Sequence, residues 1–466
     1  MSRLRWQNLR QSFWFLPALF CAGAVVVAEA LIYFDRRVDE FDLGPFGFLV
    51  NRVGESGSRD LLSAIAGSTL AVASTSFSIT IAVLTLASST YGPRLVRNFM
   101  ADRGNQFVLG VLVATFLYSL LVLRSIRVIA DTGDEYFVPH LAVNLAVLLA
   151  VLSIGVLVYF IHHISDSVQV WTLAREVRDD LLDAVDRLYP DSLGHDAQDI
   201  DGADGRGDVP PDLLLDGVAV TSHDIGYVQG VDDKALLDLA TEHDVVIALR
   251  IRPGDHVIEG SSLAVICPAA RADDHQWGKV RAAVRIGPAR TPHEDVEFSV
   301  RLLEEMAVRA LSPGTNDPYT AVNALDDLSA GLARLAGRRT PSPYRYDGRG
   351  QLRVVAPRVV LVDLVDRVMD AMRAYAVEHP NVLHRTLTLV ELVGVATPEP
   401  AARARMDIQV QRLVEAFGRT DPQDCDREEL DRHATRIRRA LAGAVVDGHP
   451  ARWRADEDDL GTWMSR

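Results

Sequence analysis

Cysteine is scarce in this chain. Cys21, Cys267 and Cys425 are the three present, far apart and without a CxxC pair. They supply neither a disulfide framework nor a zinc-cysteine pattern, so a reducing compartment is expected for the soluble part. The P-loop, HExxH and GxSxG motifs are missing too, and no nucleophile–base arrangement is readable. Positive charge is in deficit. The formal net charge of −15 argues against a nucleic-acid partner, which would call for clustered Lys and Arg. Internal repeats and long low-complexity tracts are absent. No catalytic residue, metal or cofactor is expected from what remains, and an enzyme ranks behind two membrane readings.

Apolar length is what the chain has in quantity. It is 48% hydrophobic and 24% charged, a mix that suits neither a disordered protein nor a wholly buried transporter. The long apolar runs precede about residue 165, and most of the acid lies beyond it. A transmembrane domain at 1–164 is predicted, with spans at 13–34, 61–89, 107–128 and 139–161. The second run carries no charge over more than the roughly 20 residues a bilayer core needs, and Gly92-Pro93 stops it. One of its faces is small: Gly67, Ala71, Ser74, Ser78, Ala82, Thr85 and Ser89 recur at helical spacing, with Thr75, Thr80 and Ser88 beside them. Such a face either lines a polar path, its hydroxyls replacing part of an ion's hydration shell, or packs closely against another helix. Four spans are too few to enclose a wide pore, so a path would require a homo-oligomer.

Glu29 lies inside the first span. It is either a functional intramembrane acid or a side chain that snorkels to the interface and pairs with Arg36 or Arg37. The N-terminus and the 94–103 connection make one side of the membrane basic, though arginines also occur on the other. Both termini are expected to be cytoplasmic, because the soluble part shows no disulfide logic. His162 and Asp166 stand one turn apart where the fourth span ends, either as a metal or pH site or as a wetted interfacial pair.

Beyond the spans, residues 165–189 read as an amphipathic helix with Val177, Leu181 and Val185 on its apolar side. A linker rich in Asp and Gly is predicted at 190–212, a β-rich module at 213–288, a helical domain at 289–450 and a loose acidic tail at 451–466. Thr291-Pro292-His293-Glu294 reads as a capping box, and Asp317-Pro318 caps the next helix. The Arg-, Pro- and Gly-rich stretch after that helix reads as loop. Asp233-Lys234-Ala235, followed by Gly254-Asp255, is similar in order to lipoyl-carrier domains, but residues 235–240 read as helix. A structural barrel-sandwich-like module is expected instead.

Several motifs together resemble the bacterial family of predicted membrane proteins named domain of unknown function 2254. They are Ser76-Phe77-Ser78-Ile79-Thr80, Tyr91-Gly92-Pro93-Arg94-Leu95, Gly226-Tyr227-Val228-Gln229, Arg252-Pro253-Gly254-Asp255 and the stretch from Ala310-Leu311-Ser312 to Asn316-Asp317-Pro318. The resemblance implies a four-span membrane region with a cytoplasmic tail, and it brings no activity with it.

The fold class expected is an α-helical membrane protein with four transmembrane helices, followed by a cytoplasmic α+β region made of a small β barrel-sandwich-like module and a helical bundle. In that region Asn316, Asp317, Thr320, Asn323 and Asp326 crowd polar groups onto one helix start. They form either a ligand or subunit contact or a set of caps and turns. The leading expectation is an oligomeric channel or transport-like protein of the bacterial inner membrane, with the lipid bilayer, copies of itself and an unidentified ion or small ligand as partners. The rival is a membrane-anchored sensor or scaffold.

Overall fold

The computed structural model describes residues 14–38, 54–91, 103–126, 137–167, 170–189, 216–443, 445–446 and 449–450. The linker at 190–212 and the tail at 451–466 lie outside these residues, as do residues 92–95 of the second family motif. The chain divides into two compact units, Met1–Leu173 and Ala174–Arg466.

The first unit holds α1 (Phe15–Val38), α2 (Glu55–Tyr91), α3 (Arg103–Ser125) and α4 (His140–Ser167). Each contains a stretch long and apolar enough to cross a membrane. The central element is α3, which packs against the other three helices. At one end its Tyr118 and Val122 meet Ala28, Leu62 and Ala142. At the other, Val108 and Leu112 meet Ala73, Val156 and Phe160. A Cβ added at Gly110 would sit 2.9 Å from the Phe20 ring and 3.4 Å from Pro17 Cα, so that glycine permits the close approach of α1 and α3. Asp35, near the end of α1, is buried and accepts the backbone N–H groups of Leu141 and Ala142 at 3.3 and 3.1 Å. These are among the free donors of the first turn of α4, so one span caps another.

The second unit begins within α5 (Val170–Leu188), whose Val177, Leu181, Ala184 and Val185 are buried. Next come β1 (Val218–Thr221), β2 (Gly226–Val231), α6 (Asp233–Glu242), β3 (Val246–Leu249), β4 (His256–Val257), β5 (Ser262–Cys267), α7 (Asp274–Ala283) and β6 (Val284–Gly287). Lys234 stands exposed in the first turn of α6, in a helix as its neighbours predict. Then follow α8 (Val296–Ala310), α9 (Pro318–Ala336), β7 (Tyr344–Tyr346), β8 (Leu352–Val355), α10 (Leu361–Tyr375), α11 (Pro380–Ala396), α12 (Pro400–Gly418) and α13 (Asp424–Gly443). The strands form a five-stranded sheet, β1-β5-β3-β8-β7, and a three-stranded sheet, β4-β2-β6.

Two expectations are corrected here. The stretch after α9 that reads as loop supplies β7 and β8, and β8 pairs parallel to β3 in register Ile247 to Val354. Leu352-Arg353-Val354-Val355 is short and flanked by turn residues, so local pattern does not reveal a strand that a distant partner completes. The second correction concerns the capping box. Thr291 does not start a helix; α8 starts four residues later, with Asp295 as its N-cap accepting the Phe298 N–H at 3.0 Å. Glu294 is instead drawn to Arg285 and to the Val231 N–H.

Helices α8 to α13 bury Leu303, Leu325, Leu332, Val368, Val390, Leu413 and Ile437 almost completely. Removing each from water contributes about 1.5–3 kcal/mol. α5 lies tight on α9: a Cβ at Gly331 would come 2.1 Å from a Leu181 methyl.

Candidate functional site

The small-residue face of α2 points away from the other described helices of its unit. Gly67, Ala71, Ser74, Ser78, Ala82 and Thr85 are all exposed, and the side chain of Ser89 lies outside the described residues. The opposite side of the helix, with Leu62, Ala66, Thr69, Ala73, Ser76 and Thr80, is the buried one. Both faces are rich in small residues and hydroxyls, so composition does not tell them apart. On the outer face Thr75, Ser78 and Thr85 donate to the carbonyls of Ala71, Ser74 and Ile81, each at 2.9 Å. The donors are thereby satisfied within the helix, while the hydroxyl oxygens keep accepting capacity outward.

Glu29 turns to a partner other than Arg36, and the side chain of Arg37 lies outside the described residues. Its carboxylate lies 3.9 Å from Arg124 at the end of α3, with both side chains largely exposed. The Arg36 guanidinium sits 5.5 Å above the Phe137 ring. Among the described residues the buried acid of this unit is Asp35, which the sequence assigns to a charged connection. Its distance from the helix it caps, over a hundred residues, left no local signal. The His163 ring stacks on Tyr159, His162 is exposed, and the Asp166 side chain lies outside the described residues.

In the second unit, residues 312–326 form the corner between α8 and α9. Asp317 caps α9 through the Thr320 N–H at 3.1 Å, and the Thr320 hydroxyl donates to the same carboxylate at 2.6 Å. Thr320 therefore belongs to the cap. Asn316 is exposed with φ +42°, a left-handed conformation that Asn tolerates. Asp326 is paired with Arg385 on α11, and Asn323 is half-buried. The structure thus distributes four of these five residues among a cap, a turn and an ion pair, and leaves Asn323 half-buried on α9.

A second family motif lies at an ionic hub that sequence reading missed. Asp255 folds back to accept the Arg252 N–H at 2.9 Å, closing the Arg252-Pro253-Gly254-Asp255 turn. Gly254 has φ +96°, and a Cβ there would meet Asp295 Oδ2 at 2.4 Å. Arg290 grips Asp295 through two bonds of 2.7 and 2.8 Å, with both side chains buried. Next to them Glu297 receives Arg252 at 3.2 Å, Arg301 at 2.8 Å and Arg367 at 3.0 Å. Burial alone would raise the Glu297 carboxyl, but Arg301, Arg252, Arg290 and Arg367 outweigh it and hold the group below its usual range. Every charge in this hub has a partner, which suits joining a turn to two helices rather than bond-making.

Also unsignalled in the sequence is a histidine pair. His384 on α11 and His433 on α13 meet with their Nδ1 atoms 3.0 Å apart. Burial, then Arg436 and His384, push the His433 imidazole down to about 4. Among the described residues no group of three or more His, Cys, Asp and Glu side chains is placed to hold a metal ion.

Comparison with known proteins finds a family for the sequence. The family described as "Predicted membrane protein (DUF2254)" matches residues 10–391. An uncharacterized protein of Mycobacterium tuberculosis is 32% identical over 390 residues, covering 82% of this chain and 73% of that protein. An uncharacterized protein of Mycobacterium bovis matches to the same extent, 32% over 390 residues. No solved structure matches the chain.

Proposed function

Since this chain belongs to the DUF2254 family of predicted membrane proteins, we propose that it is a self-associating, transport-like protein of the bacterial inner membrane. One observation carries the reading: the outer face of α2 presents Gly67, Ala71, Ser74, Ser78, Ala82 and Thr85 to the surroundings, while its other face does the packing within the chain. Lipid-facing positions have no need of small hydroxyl-bearing residues, whereas helix contacts between copies do. Copies arranged around these faces would bring hydroxyl oxygens to a shared path, which four spans alone cannot enclose. The α+β unit then serves as the cytoplasmic regulatory or assembly region, with Asn316 and Asn323 available as contacts. The rival, an anchored sensor or scaffold, draws on the hydroxyl donors of α2 already being satisfied within the helix.

The test is ion flux in liposomes containing the purified full chain, read beside its oligomeric state in detergent by native mass spectrometry. An oligomer with flux that Ser78→Leu and Ala82→Leu both abolish is the expected result. A monomer without flux would remove the transport reading, and an oligomer without flux would leave the scaffold.

A further inference from the structure

The second unit holds a charged cavity that neither the ionic hub nor the α8–α9 corner uses. Its volume is about 370 Å³, and three arginines line it: Arg187 in the last turn of α5, Arg345 on β7 and Arg358 after β8. Two acids also line it, Asp233 and Glu294. Glu294 is already engaged, by Arg285 at 2.6 Å and by the Val231 N–H at 3.1 Å. Asp233 is shared, in contact with Arg358 and 3.9 Å from Arg345. Arg187 donates to the His293 carbonyl at 2.6 Å, which is no counter-charge.

Three guanidiniums thus share two acids in the lining, one of which is already engaged from outside, so positive charge is in excess there. Two of the three guanidiniums are held partly away from water, the Arg345 and Arg358 side chains being 23% and 24% exposed. Arg358 Nε is buried with no partner among the described residues. Burial, then the neighbouring Arg358 charge, hold the still-protonated Arg345 guanidinium below its usual range. Like charges held close and away from water are costly unless an anion joins them. Nor do they reflect a basic composition, since the chain carries a net charge of −15.

We propose that this cavity binds a phosphate-bearing small molecule, held by Arg187, Arg345 and Arg358. The guanidinium fork matches phosphate oxygens, and three forks from separate elements suit a tetrahedral anion better than a planar one. A phosphate monoester near neutral pH carries close to two charges and can meet several guanidiniums at once, while a carboxylate carries a single charge. The volume lies in the range of small-molecule pockets, and Leu188, Val231 and Pro341 give an apolar wall for the organic part. The inference stands apart from the transport reading and holds whether or not an ion crosses α2.

Calorimetric titration tests it, using the full chain in a neutral detergent with inorganic phosphate, phenyl phosphate and benzoate. A second arm uses nanodiscs of phosphatidylcholine with and without phosphatidate. Saturable binding of phenyl phosphate, tighter than phosphate and far tighter than benzoate, is expected. Arg345→Gln and Arg187→Gln should each weaken it about tenfold or more, as losing a charged hydrogen bond does. Binding in detergent identifies a soluble phosphate ester, and binding confined to phosphatidate nanodiscs identifies a lipid headgroup. Both use the same arginines. Arg187 is exposed at a helix end, so its variant decides the matter if Arg345→Gln fails to fold. No saturable binding of any phosphate probe, or binding that Arg187→Gln leaves unchanged, would overturn the proposal.

Discussion

Glu297 shows how much one side chain can organise. It is 7% exposed and receives Arg252, Arg301 and Arg367. Glu297→Gln would keep the shape and strip the charge, leaving three guanidiniums facing each other. Breaking a buried ion network costs about 3–5 kcal/mol, so a clear drop in the melting temperature of the second unit is expected. The folded-state value is depressed, so the stabilisation is present above the unfolded carboxyl range, about pH 4.3, and is lost as pH falls through the lower folded value. Melting curves down this acid range should show that loss in the native chain and a weaker one in the variant. His433 acts at milder pH. Burial, then Arg436 and His384, push its imidazole down to about 4 in the folded chain against an ordinary value of about 6.5, with Glu429 and Asp426 acting on His384. An unfolded chain therefore gains the proton first, and stability should decline as pH drops from about 6.5 toward 4. His433→Leu is expected to flatten that slope in a pH series of urea midpoints.

Among the elements, α2 is the most open to test because its two faces differ in role. Ala73 is buried against α3 and α4, whereas Ser78 faces outward. Ala73→Leu should overpack the bundle, at a cost of about 1–3 kcal/mol, and lower the melting temperature of the membrane unit itself. Ser78→Leu should leave that temperature near the native value while removing self-association. Melting and self-association both unchanged in Ser78→Leu would mean that the outer face meets nothing but lipid, and a drop equal to that of Ala73→Leu would mean that it packs within the bundle. The Arg252–Asp255 turn is a second such element. Gly254→Ala adds a Cβ at φ +96° against Asp295 and Arg290, so it both strains the turn and pushes on the hub. A loss of about 2 kcal/mol or more, read from denaturant unfolding, is expected.

For the whole molecule the open quantity is its orientation. The amino-terminal basic stretch and the soluble part without disulfide logic place both termini in the cytoplasm in our reading. Reporter fusions after Arg466 should then be active when the reporter works in the cytoplasm. Activity confined to a periplasmic reporter would reverse the assignment and place the phosphate cavity on the other side.

Apolar run length alone determined the four candidate spans, because a helix that satisfies its backbone within lipid must be continuous and nearly uncharged. The Asp317-Pro318 pair likewise marked the α9 cap and helical periodicity the apolar side of α5, both of which depend on residues within one or two turns. Contacts between distant residues were left to the tertiary structure. β8 became a strand because β3 was there to pair with it, and Asp35 became a cap because α4 began beside it. Which face of α2 packs inside was decided by where α3 and α4 lie, since both faces have similar composition. The hub at Glu297 and the arginine cavity gather charges from segments far apart in sequence. Each charge by itself reads as an ordinary solvated residue, and burial beside the others is what gives it an energy large enough to matter.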